Sequence, residues 1–447
     1  MIRLGNVAEY HVENFGCRAS QADGEILGAQ LRHRGLLQAS NLGEADVIVA
    51  NTCSVTAQAD RTARAFIRRA HRENPGARIL VTGCYAQRAP REVAALPGVH
   101  AVIGNSHKAL VPALAQSSQD FVPLASLYVD DAFAHSELSM PEEAHRGEDR
   151  GAQTRPNLKV QDGCGNRCSF CIIPQTRGHS RSTPWETCLR EVQAFVAAGG
   201  TEMVLSGINL GSWGRDFQPA RTLDMLVSAI LERTGLPRLR LSSVEPMDWN
   251  SELLALFSGP QSHRLARHAH LPLQSGSDAI LRTMHRRYRP WHYAQKLQLI
   301  HSVIPDAAIG ADVMVGFPGE TDALFEENFR FITAQPFTYL HLFPFSPRPG
   351  TRAWQLAREL PVIPQVVAER MARLREWIAA RNLHFRQGFL GRILPAVTLR
   401  TSSGSLTRAL SDNFIELYLD AQMSANQNVS VLVTGLIEGG LTGRLAA

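Results

Sequence analysis

The sequence predicts an α/β protein with an N-terminal parallel α/β domain, a partial (β/α)6 barrel and a small C-terminal β-barrel. Apolar strand patterns alternate with helical patterns over residues 1–115 and again over 154–360, and such alternation is typical of parallel sheets. From residue 388 onward the pattern changes to short strands separated by Gly, Ser and Asn. Short strands of this kind are typical of small β-barrels.

The composition is that of a globular protein. Of the 447 residues, 44% are hydrophobic and 19% charged, which excludes a disordered chain, and the length predicts two or three domains. The formal net charge of +5 is compatible with a nucleic-acid partner but does not require one. The sequence shows no secretory signal and no apolar run of about 18 residues, so we expect a cytoplasmic protein without a membrane partner.

Three strand patterns of the N-terminal region each end at a cysteine. These patterns cover residues 8–17, 45–53 and 77–84 and end at Cys17, Cys53 and Cys84; a fourth covers 99–105, and helical patterns cover 22–35 and 61–74. Ligands of parallel α/β sheets bind at the carboxyl ends of the strands. The three cysteines therefore either converge on one site or are small buried side chains, and their positions alone leave both interpretations open.

Six further strand patterns, separated by helices, predict an incomplete barrel related to the eight-unit form. They cover residues 158–164, 202–209, 238–246, 268–276, 309–320 and 339–351, and a basic amphipathic helix follows at 362–386. A polar, acidic segment precedes them and is predicted to be a linker. The predicted regions are 1–117, the linker 118–153, the barrel with its trailing helix at 154–386, and the small β-barrel at 387–447.

The segment QDGCGNRCSFC (161–171) places three cysteines in a C-x3-C-x2-C pattern just after the first barrel strand. A four-iron cluster held by three thiolates leaves one iron without a protein ligand. That iron can chelate the amine and carboxylate of S-adenosylmethionine, whose reductive cleavage gives a carbon radical. The alternative is a zinc site that borrows a distant ligand such as a histidine or Cys188, although Cys188 lies in a helical pattern that favours ordinary packing.

These motifs resemble those of the radical S-adenosylmethionine (SAM) methylthiotransferases. The resemblance covers nearly the whole chain, in the same motif order, through FGCRASQADGE, ADVIVANTC, ILVTGCYAQ, CGNRCSFCIIPQTRG, LSSVEP, HLPLQSGSD, DVMVGFPGET and HLFPFSPRPGT. It implies a methylthiotransferase N-terminal domain, a radical SAM barrel and a C-terminal TRAM domain. It also implies a second [4Fe–4S] cluster on Cys17, Cys53 and Cys84, beside the one on Cys164, Cys168 and Cys171.

The resemblance also implies the reaction. Sulfur at the open iron of the N-terminal cluster is methylated by one SAM, and a second SAM gives the deoxyadenosyl radical that takes hydrogen from the substrate carbon. Because that carbon is not acidic, acid–base groups alone would not activate it, and we expect no catalytic side chains. An electron donor such as flavodoxin or ferredoxin and a sulfur source are the implied partners.

Several polar residues at the strand ends are candidate SAM contacts. The resemblance suggests Glu202 of GGTE for the SAM amino group, and Arg recognises carboxylates bidentately, which suggests Arg181. The remaining candidates are Ser242, Ser243, Gln274 and Gly316. Turn capping or strand entry would explain several of them equally well.

Methylthiotransferases of this kind divide by substrate, and the segment 51–87 is most similar to the MtaB group. That group modifies N6-threonylcarbamoyladenosine next to the tRNA anticodon, so the anticodon stem-loop is the expected partner. The alternatives are N6-isopentenyladenosine in tRNA, an aspartate of a ribosomal protein and, from another class, a noncatalytic RNA-binding iron–sulfur protein. Two sets of residues are compatible with contacts to RNA. One is the group of basic and aromatic residues in 285–293, and the other is four arginines at helical spacing, Arg61, Arg64, Arg68 and Arg72. A solvated protein surface would explain the same residues.

The chain departs from the family pattern at three positions near the cysteines. Ser20 stands where the family usually has Asn, and Gln175 and Thr176 stand where aromatic and small residues are common. The substitution at Ser20 removes any contact that depends on the Asn side chain.

Overall fold

The computed structural model describes residues 7–117, 126–132, 154–400 and 406–446, and these residues form two compact units. The first contains the described residues up to 132 together with 161–183 and 346–351. The second contains 154–160, 184–345 and the described residues from 352 onward. Most of the predicted linker 118–153 lies outside the described residues.

The first unit is built on strands and helices that alternate along the chain. In chain order they are β1 (Glu9–Asn14), α1 (Arg18–His33), β2 (Leu37–Gln38), β3 (Val47–Thr52), α2 (Ala57–Glu73), β4 (Arg78–Gly83), α3 (Cys84–Arg88), α4 (Pro90–Ala94), β5 (Val99–Ile103), α5 (Val111–Gln116), β6 (Ser126–Tyr128), the end of β7 (Asn157–Asp162), α6 (Ile173–Arg177) and β8 (Arg181–Ser182). The four strands predicted in this region are confirmed.

The sheet of the first unit is parallel, with the strand order β2-β1-β3-β4-β5-β6. Its central strand β3 is buried along its whole length, because helices cover both faces. Ile48 and Ala50 pack with Phe66 of α2 on one face, whereas Val47 and Val49 pack with helices α1 and α5 on the other. The carboxyl ends of β1, β3 and β4 are therefore neighbours at one edge.

The second unit continues from β7 through the remaining barrel elements. They are α7 (Trp185–Ala197), β9 (Glu202–Gly207), α8 (Leu223–Arg233), β10 (Arg238–Leu241), α9 (Ser251–Leu256), β11 (His268–His270), α10 (Asp278–Thr283), α11 (Pro290–Val303), β12 (Ala308–Val315), α12 (Asp322–Thr333), β13 (Tyr339–Pro344), α13 (Arg352–Glu359) and α14 (Pro364–Gln387). All six predicted barrel strands are present.

The barrel strands are parallel and run in sequence order, as a partial barrel requires. The start of β7 lies beside β9, β9 pairs with β10, and β11 pairs with β12 and β12 with β13. The bridges Leu239–Leu265 and Ser243–His270 join the two sets between β10 and β11. The predicted partial (β/α)6 barrel is confirmed.

The C-terminal strands close into a five-stranded barrel, which confirms the predicted small β-barrel. The strands are β14 (Ile393–Thr398), β15 (Thr407–Ser411), β16 (Glu416–Leu419), β17 (Asn428–Ile437) and β18 (Gly440–Leu445), in the order β14-β15-β16-β18-β17. The sequence pattern at 408–420 indicated one strand, whereas the structure has two. A turn divides them, because Phe414 adopts a left-handed backbone (φ 64°) and the Ser411 hydroxyl accepts a hydrogen bond from the backbone N–H of Ile415.

Within the described residues, no helix combines the length and apolar character needed to cross a membrane.

Candidate active site

Three cysteines of the first unit lie at the carboxyl ends of neighbouring strands. Cys17 precedes α1 just after β1, Cys53 follows β3, and Cys84 follows β4 as the first residue of α3. Because β1, β3 and β4 are adjacent in the sheet, the fold brings these three side chains to one edge. A shared site on these three cysteines stays a prediction, with which their places at the strand ends are compatible.

Contacts around Cys53 show how closely the three cysteines approach. Gly16 adopts a left-handed backbone (φ 103°), and a Cβ atom at this position would lie 2.7 Å from Sγ of Cys53, so only glycine fits there. Burial, with the charges of Cys84 and Cys17, raises the pKa of the Cys53 thiol to about 12. Because the charged forms of these three side chains repel one another, a cationic iron–sulfur core would stabilise them as thiolate ligands.

A buried ion-pair network supports the segment that follows Cys53. Asp60 of α2 accepts a hydrogen bond from the Ser54 hydroxyl at 2.7 Å and ion pairs with Arg88 and Arg348 at 3.0 and 2.7 Å. Since charged side chains are buried at a cost unless they are paired, this network holds the Cys53 segment in one conformation.

The second cysteine triad, Cys164, Cys168 and Cys171, occupies the loop after β7 in the same unit. All three side chains are partly exposed, so ligands can reach them. The loop is tied to the backbone by the N–H of Cys164, which donates to the carbonyl of Gly178 at 3.1 Å. All seven cysteines lie in the described part of the chain, and none forms a disulfide.

Arg177 extends from the end of α6 to the N-terminal residues of the first unit. Its guanidinium is fully buried and ion pairs with Asp162 at 2.9 Å and with Asp23 of α1 at 3.1 Å. It also donates to the hydroxyl of Ser20 at 3.2 Å. Ser20, which departs from the usual family residue, therefore has a defined contact in this chain.

Four of the predicted SAM contacts lie in the second unit, at the ends of barrel strands. Ser242 and Ser243 follow β10, Gln274 follows β11, and Gly316 follows β12. Ser242 Oγ and Gln274 Oε1 are buried and, within the described residues, have no hydrogen-bond partner. Gln274 also has a left-handed backbone (φ 67°), a strained conformation that is concentrated at functional sites.

Gly316 and Arg181 already have partners in the structure. The backbone N–H of Gly316 donates to the carboxylate of Glu320 at 2.8 Å, and a Cβ atom on Gly316 would lie 2.4 Å from Val367. Arg181, which belongs to the first unit, donates to the carbonyl of Arg177 at 3.0 Å. These contacts fix the local backbone at both positions.

Glu202 lies at the start of its strand, as the pattern 202–209 predicts, whereas the other candidate SAM contacts on the barrel strands lie at the carboxyl ends. It is the first residue of β9, at the amino end of the strand, and its fully buried carboxylate is paired with Arg155, Arg238 and Arg240. Burial alone would raise the pKa of Glu202, but the three arginines outweigh it and lower the pKa to about 2. Its oxygens are therefore engaged in a structural ion-pair cluster.

The sequence analysis missed a polar cluster on three consecutive barrel strands. His270 of β11, Asp312 of β12 and His341 of β13 place their ligand atoms within 4.8 Å of one another. Burial raises the pKa of Asp312, but the hydrogen bonds and charges of the two histidines outweigh it and hold that pKa well below its usual range. The alternation of residues along parallel strands was the available signal: Asp312 and His341 are register partners, and His270 is the partner of Gly310, two residues before Asp312 on the same face of β12.

The residues suggested for RNA contact divide into buried and exposed groups. In the segment 285–293, Arg286 is buried and ion paired with Glu245, and Tyr288 is buried with its hydroxyl donating to the carbonyl of Leu273 at 2.6 Å. These two residues are structural, and the suggestion that they contact RNA is wrong. Trp291 is exposed, as are three of the four arginines along α2, namely Arg61, Arg68 and Arg72.

Two family profiles match the regions that carry these features. Residues 9–104 match the family described as Uncharacterized protein family UPF0004, and residues 158–332 match the Radical SAM superfamily. Each cysteine triad lies within one of the two matched regions.

A solved structure with the same fold is a radical S-adenosylmethionine methyltransferase, TsrM from Kitasatospora setae, with cobalamin and a [4Fe–4S] cluster bound. The TM-score is 0.55 at 13% sequence identity, covering 79% of this chain and 78% of that one. At this identity the likeness shows the fold alone.

Relatives of higher identity carry two kinds of name. The threonylcarbamoyladenosine tRNA methylthiotransferases MtaB of Bacillus subtilis and Aquifex aeolicus are 36% and 34% identical, with 80% and 94% of this chain and 78% and 99% of theirs aligned. A tRNA-2-methylthio-N(6)-dimethylallyladenosine synthase of Acidothermus cellulolyticus is 33% identical over 86% of this chain and 76% of its own. On these similarities, the chain belongs to the MtaB-like radical SAM methylthiotransferases.

Proposed function

We propose that this methylthiotransferase adds a 2-methylthio group to N6-threonylcarbamoyladenosine of tRNA, next to the anticodon. The observation that carries the substrate assignment is the set of MtaB relatives, which are 31–36% identical over 80–98% of this chain. The convergence of Cys17, Cys53 and Cys84 supports the methylthiotransferase chemistry, because it supplies a second three-thiol site beside the C-x3-C-x2-C loop of the first unit.

We propose that Cys164, Cys168 and Cys171 hold one [4Fe–4S] cluster. We further propose that a second triad, Cys17, Cys53 and Cys84, holds the auxiliary cluster. Each set offers three soft thiolate ligands and no fourth cysteine, which fits a cluster with one open iron. When bound, the clusters and SAM supply one-electron cleavage of the cofactor and transfer of the methylthio group.

In the second unit, Ser242 and Gln274 are the strongest candidates for contact with SAM. Each presents a buried oxygen that has no hydrogen-bond partner within the described residues, and an unsatisfied buried polar atom is costly unless a ligand pairs with it. Ser243 and Gly316 complete the proposed cofactor set of this unit, and Arg181 is proposed separately as a contact in the first unit. Glu202 stabilises the protein at the amino end of β9 and is left out of this set.

The chain's own side chains have binding and positioning roles in this proposal. Neither triad includes an acid–base pair, and the cofactors carry the radical chemistry. His270, Asp312 and His341 offer hydrogen-bond donors and acceptors on the barrel strands that can orient a polar ligand. The proposed domain organisation remains 1–117, 118–153, 154–386 and 387–447.

The proposed partners are the tRNA anticodon stem-loop, a low-potential electron donor such as flavodoxin or ferredoxin, and a sulfur source. We propose that the enzyme works in the cytoplasm, where tRNA is modified and thiols stay reduced.

Nucleoside mass spectrometry of tRNA from cells with and without this gene tests the substrate. The proposal predicts that the 2-methylthio form of threonylcarbamoyladenosine disappears in the deletion and returns with the wild-type gene. Loss of the methylthio-isopentenyl nucleoside instead would assign the chain to the substrate of the Acidothermus relative. If neither nucleoside changes, the tRNA substrate is wrong, and the ribosomal-protein aspartate becomes the substrate to test.

A further inference from the structure

Arg177 is a buried cation shared by the two cysteine-bearing segments of the first unit. It follows Cys171 by six residues in the sequence, yet its guanidinium contacts Ser20 and Asp23, which lie on the first turns of the helix that Cys17 precedes. The side chain is 1% exposed. A buried charge of this kind exerts a strong field, because little water screens it.

Two carboxylates hold the guanidinium in a single orientation. Nη1 pairs with Asp162 at 2.9 Å and Nη2 with Asp23 at 3.1 Å. Asp23 is also paired with Lys108 at 2.8 Å, so the two carboxylates of this cluster are balanced by two cations. A bound cluster with three thiolates would add negative charge to an otherwise neutral environment.

The Nε–H of Arg177 takes part in none of these contacts. It is buried, and among the described residues it has no hydrogen-bond partner, which is uncommon for a buried donor. Burial lowers the pKa of Arg177, but Asp162, Cys84, Asp23 and Cys17 outweigh it and raise that pKa. The hydroxyl of Ser20 that accepts from Nη2 of Arg177 at 3.2 Å lies 3.9 Å from Sγ of Cys17, which places this charge one side chain away from that cysteine.

Asn105 provides a second donor from the same direction. Its Nδ2 lies 3.5 Å from Sγ of Cys84 and 2.9 Å from the carbonyl of Thr176, the residue before Arg177. One amide thus contacts both a cysteine of the N-terminal triad and the segment that carries Arg177.

We propose that Arg177 is a positioning residue that tunes the auxiliary cluster, by holding a fixed, buried positive charge next to the segments that carry Cys17 and Cys84. This inference rests on the proposed assignment of the auxiliary cluster to Cys17, Cys53 and Cys84. Net charge and hydrogen bonds to sulfur set the reduction potential of iron–sulfur clusters. Arg177 stabilises the reduced cluster, which holds one additional electron, and so raises its potential.

A redox titration followed by electron paramagnetic resonance tests this role. The full-length chain with Cys164, Cys168 and Cys171 replaced by Ala isolates the auxiliary cluster, which takes one electron from dithionite. In this background we expect Arg177→Gln to lower the potential by about 59 mV, which is a tenfold change in a one-electron equilibrium. Arg177→Lys keeps the charge and is expected to shift the potential less.

The controls separate this electrostatic effect from a loss of structure. Arg240 is a fully buried arginine paired with Glu202 in the second unit, and Arg240→Gln should leave the potential unchanged. Asn105→Ala leaves the Arg177 ion pairs in place and should lower the potential by a smaller amount, because it removes only the amide donor to Cys84. Arg177→Met, which also removes the charge, is the test if Arg177→Gln fails to fold.

The results distinguish this inference from the assignment on which it rests. If the background protein binds no iron, the auxiliary assignment fails. If it binds a full cluster but a folded variant without the Arg177 charge, Arg177→Gln or Arg177→Met, leaves the potential unchanged, the role of Arg177 is overturned. Equal shifts for Arg177→Lys and Arg177→Gln would overturn the electrostatic explanation.

Discussion

Nη2 of Arg177 lies 3.1 Å from Oδ2 of Asp23. This ion pair connects the cysteine loop at 161–183 to the helix that follows Cys17. Both side chains are at least 98% buried. Breaking a buried pair from one side costs about 3–5 kcal/mol, so this contact holds the two cysteine-bearing segments of the first unit in one arrangement.

Gly163 is expected to control how the second triad is loaded. It has a left-handed backbone (φ 71°), and a Cβ atom there would lie 1.9 Å from the carbonyl oxygen of His179. Gly163→Ala should displace the loop that carries Cys164 and lower the iron bound by this triad, at a cost of about 1–3 kcal/mol. Iron content and cluster absorbance after anaerobic reconstitution measure the effect.

Gly165 offers a matched control for that substitution. No atom lies within 4 Å of the position a Cβ would take there, so Gly165→Ala should load iron like wild type. An equal loss of bound iron in both variants would contradict this explanation, because it would show that the loss does not depend on the contact with His179.

Gln274 is expected to contact SAM through its side-chain amide, although its left-handed backbone conformation lowers the stability of the protein. Gln274→Gly removes the side-chain amide while relieving the left-handed backbone, so stability should rise by about 1 kcal/mol or stay level. SAM affinity should fall by roughly tenfold, the worth of about one hydrogen bond. Equilibrium dialysis with the reconstituted enzyme measures the affinity, and wild-type binding by a stable variant would remove Gln274 from the site.

Glu202 is expected to act on stability and not on SAM affinity. Glu202→Gln leaves Arg238 and Arg240 without their counter-charge, at a cost of about 3–5 kcal/mol, which thermal unfolding at pH 7 would detect. A loss of SAM affinity in a variant of unchanged stability would restore Glu202 to the cofactor site.

The contribution of Glu202 should depend on pH with a defined sign. Its folded pKa, about 2, lies below the ordinary value of 4.5, so the stabilisation is complete above pH 4.5 and is lost as pH falls towards 2. The difference in melting temperature between wild type and Glu202→Gln should narrow over that range. A constant difference from pH 7 to pH 3 would contradict the ion-pair explanation.

The exposed arginines along α2 are expected to contribute to tRNA binding. Reversing the charges of Arg61, Arg68 and Arg72 should weaken binding and flatten its salt dependence by about one in log–log slope for each lost phosphate contact. Arg64 is left unchanged because it is paired with Glu92 and Tyr85. The same reversal at exposed Arg330 on α12 is the control, and equal losses from both helices would indicate a nonspecific charge effect.

The strand and helix pattern was sufficient to predict the architecture and the strand ends at which Cys17, Cys53 and Cys84 lie. In a parallel sheet buried on both faces, each strand is a short apolar run, and the residue after it has a defined place. The turn at Asp412–Ile415 was missed although Ser411, Asp412 and Asn413 are residues typical of turns. The left-handed residue is Phe414, a bulky side chain for which such a backbone is not expected.

Contacts between distant segments of the chain could not be predicted from the sequence pattern. Glu202 matched a motif, but a motif does not say that three arginines from other segments fill the space around its carboxylate. The pair of Arg177 and Asp23 spans 154 residues, and the cluster of His270, Asp312 and His341 depends on the register of three strands. Such pairings follow from packing, which a single sequence does not display.

One experiment tests most directly the claim that the two triads serve separate steps. Reconstituted wild type, Cys53→Ala and Cys168→Ala are given SAM, a reductant, a sulfur source and tRNA without oxygen, and 5′-deoxyadenosine and methylthiolated nucleoside are measured together. We predict that Cys168→Ala forms neither product, while Cys53→Ala still cleaves SAM but forms no methylthiolated nucleoside. Methylthiolated tRNA from Cys53→Ala, or deoxyadenosine from Cys168→Ala, would contradict the account.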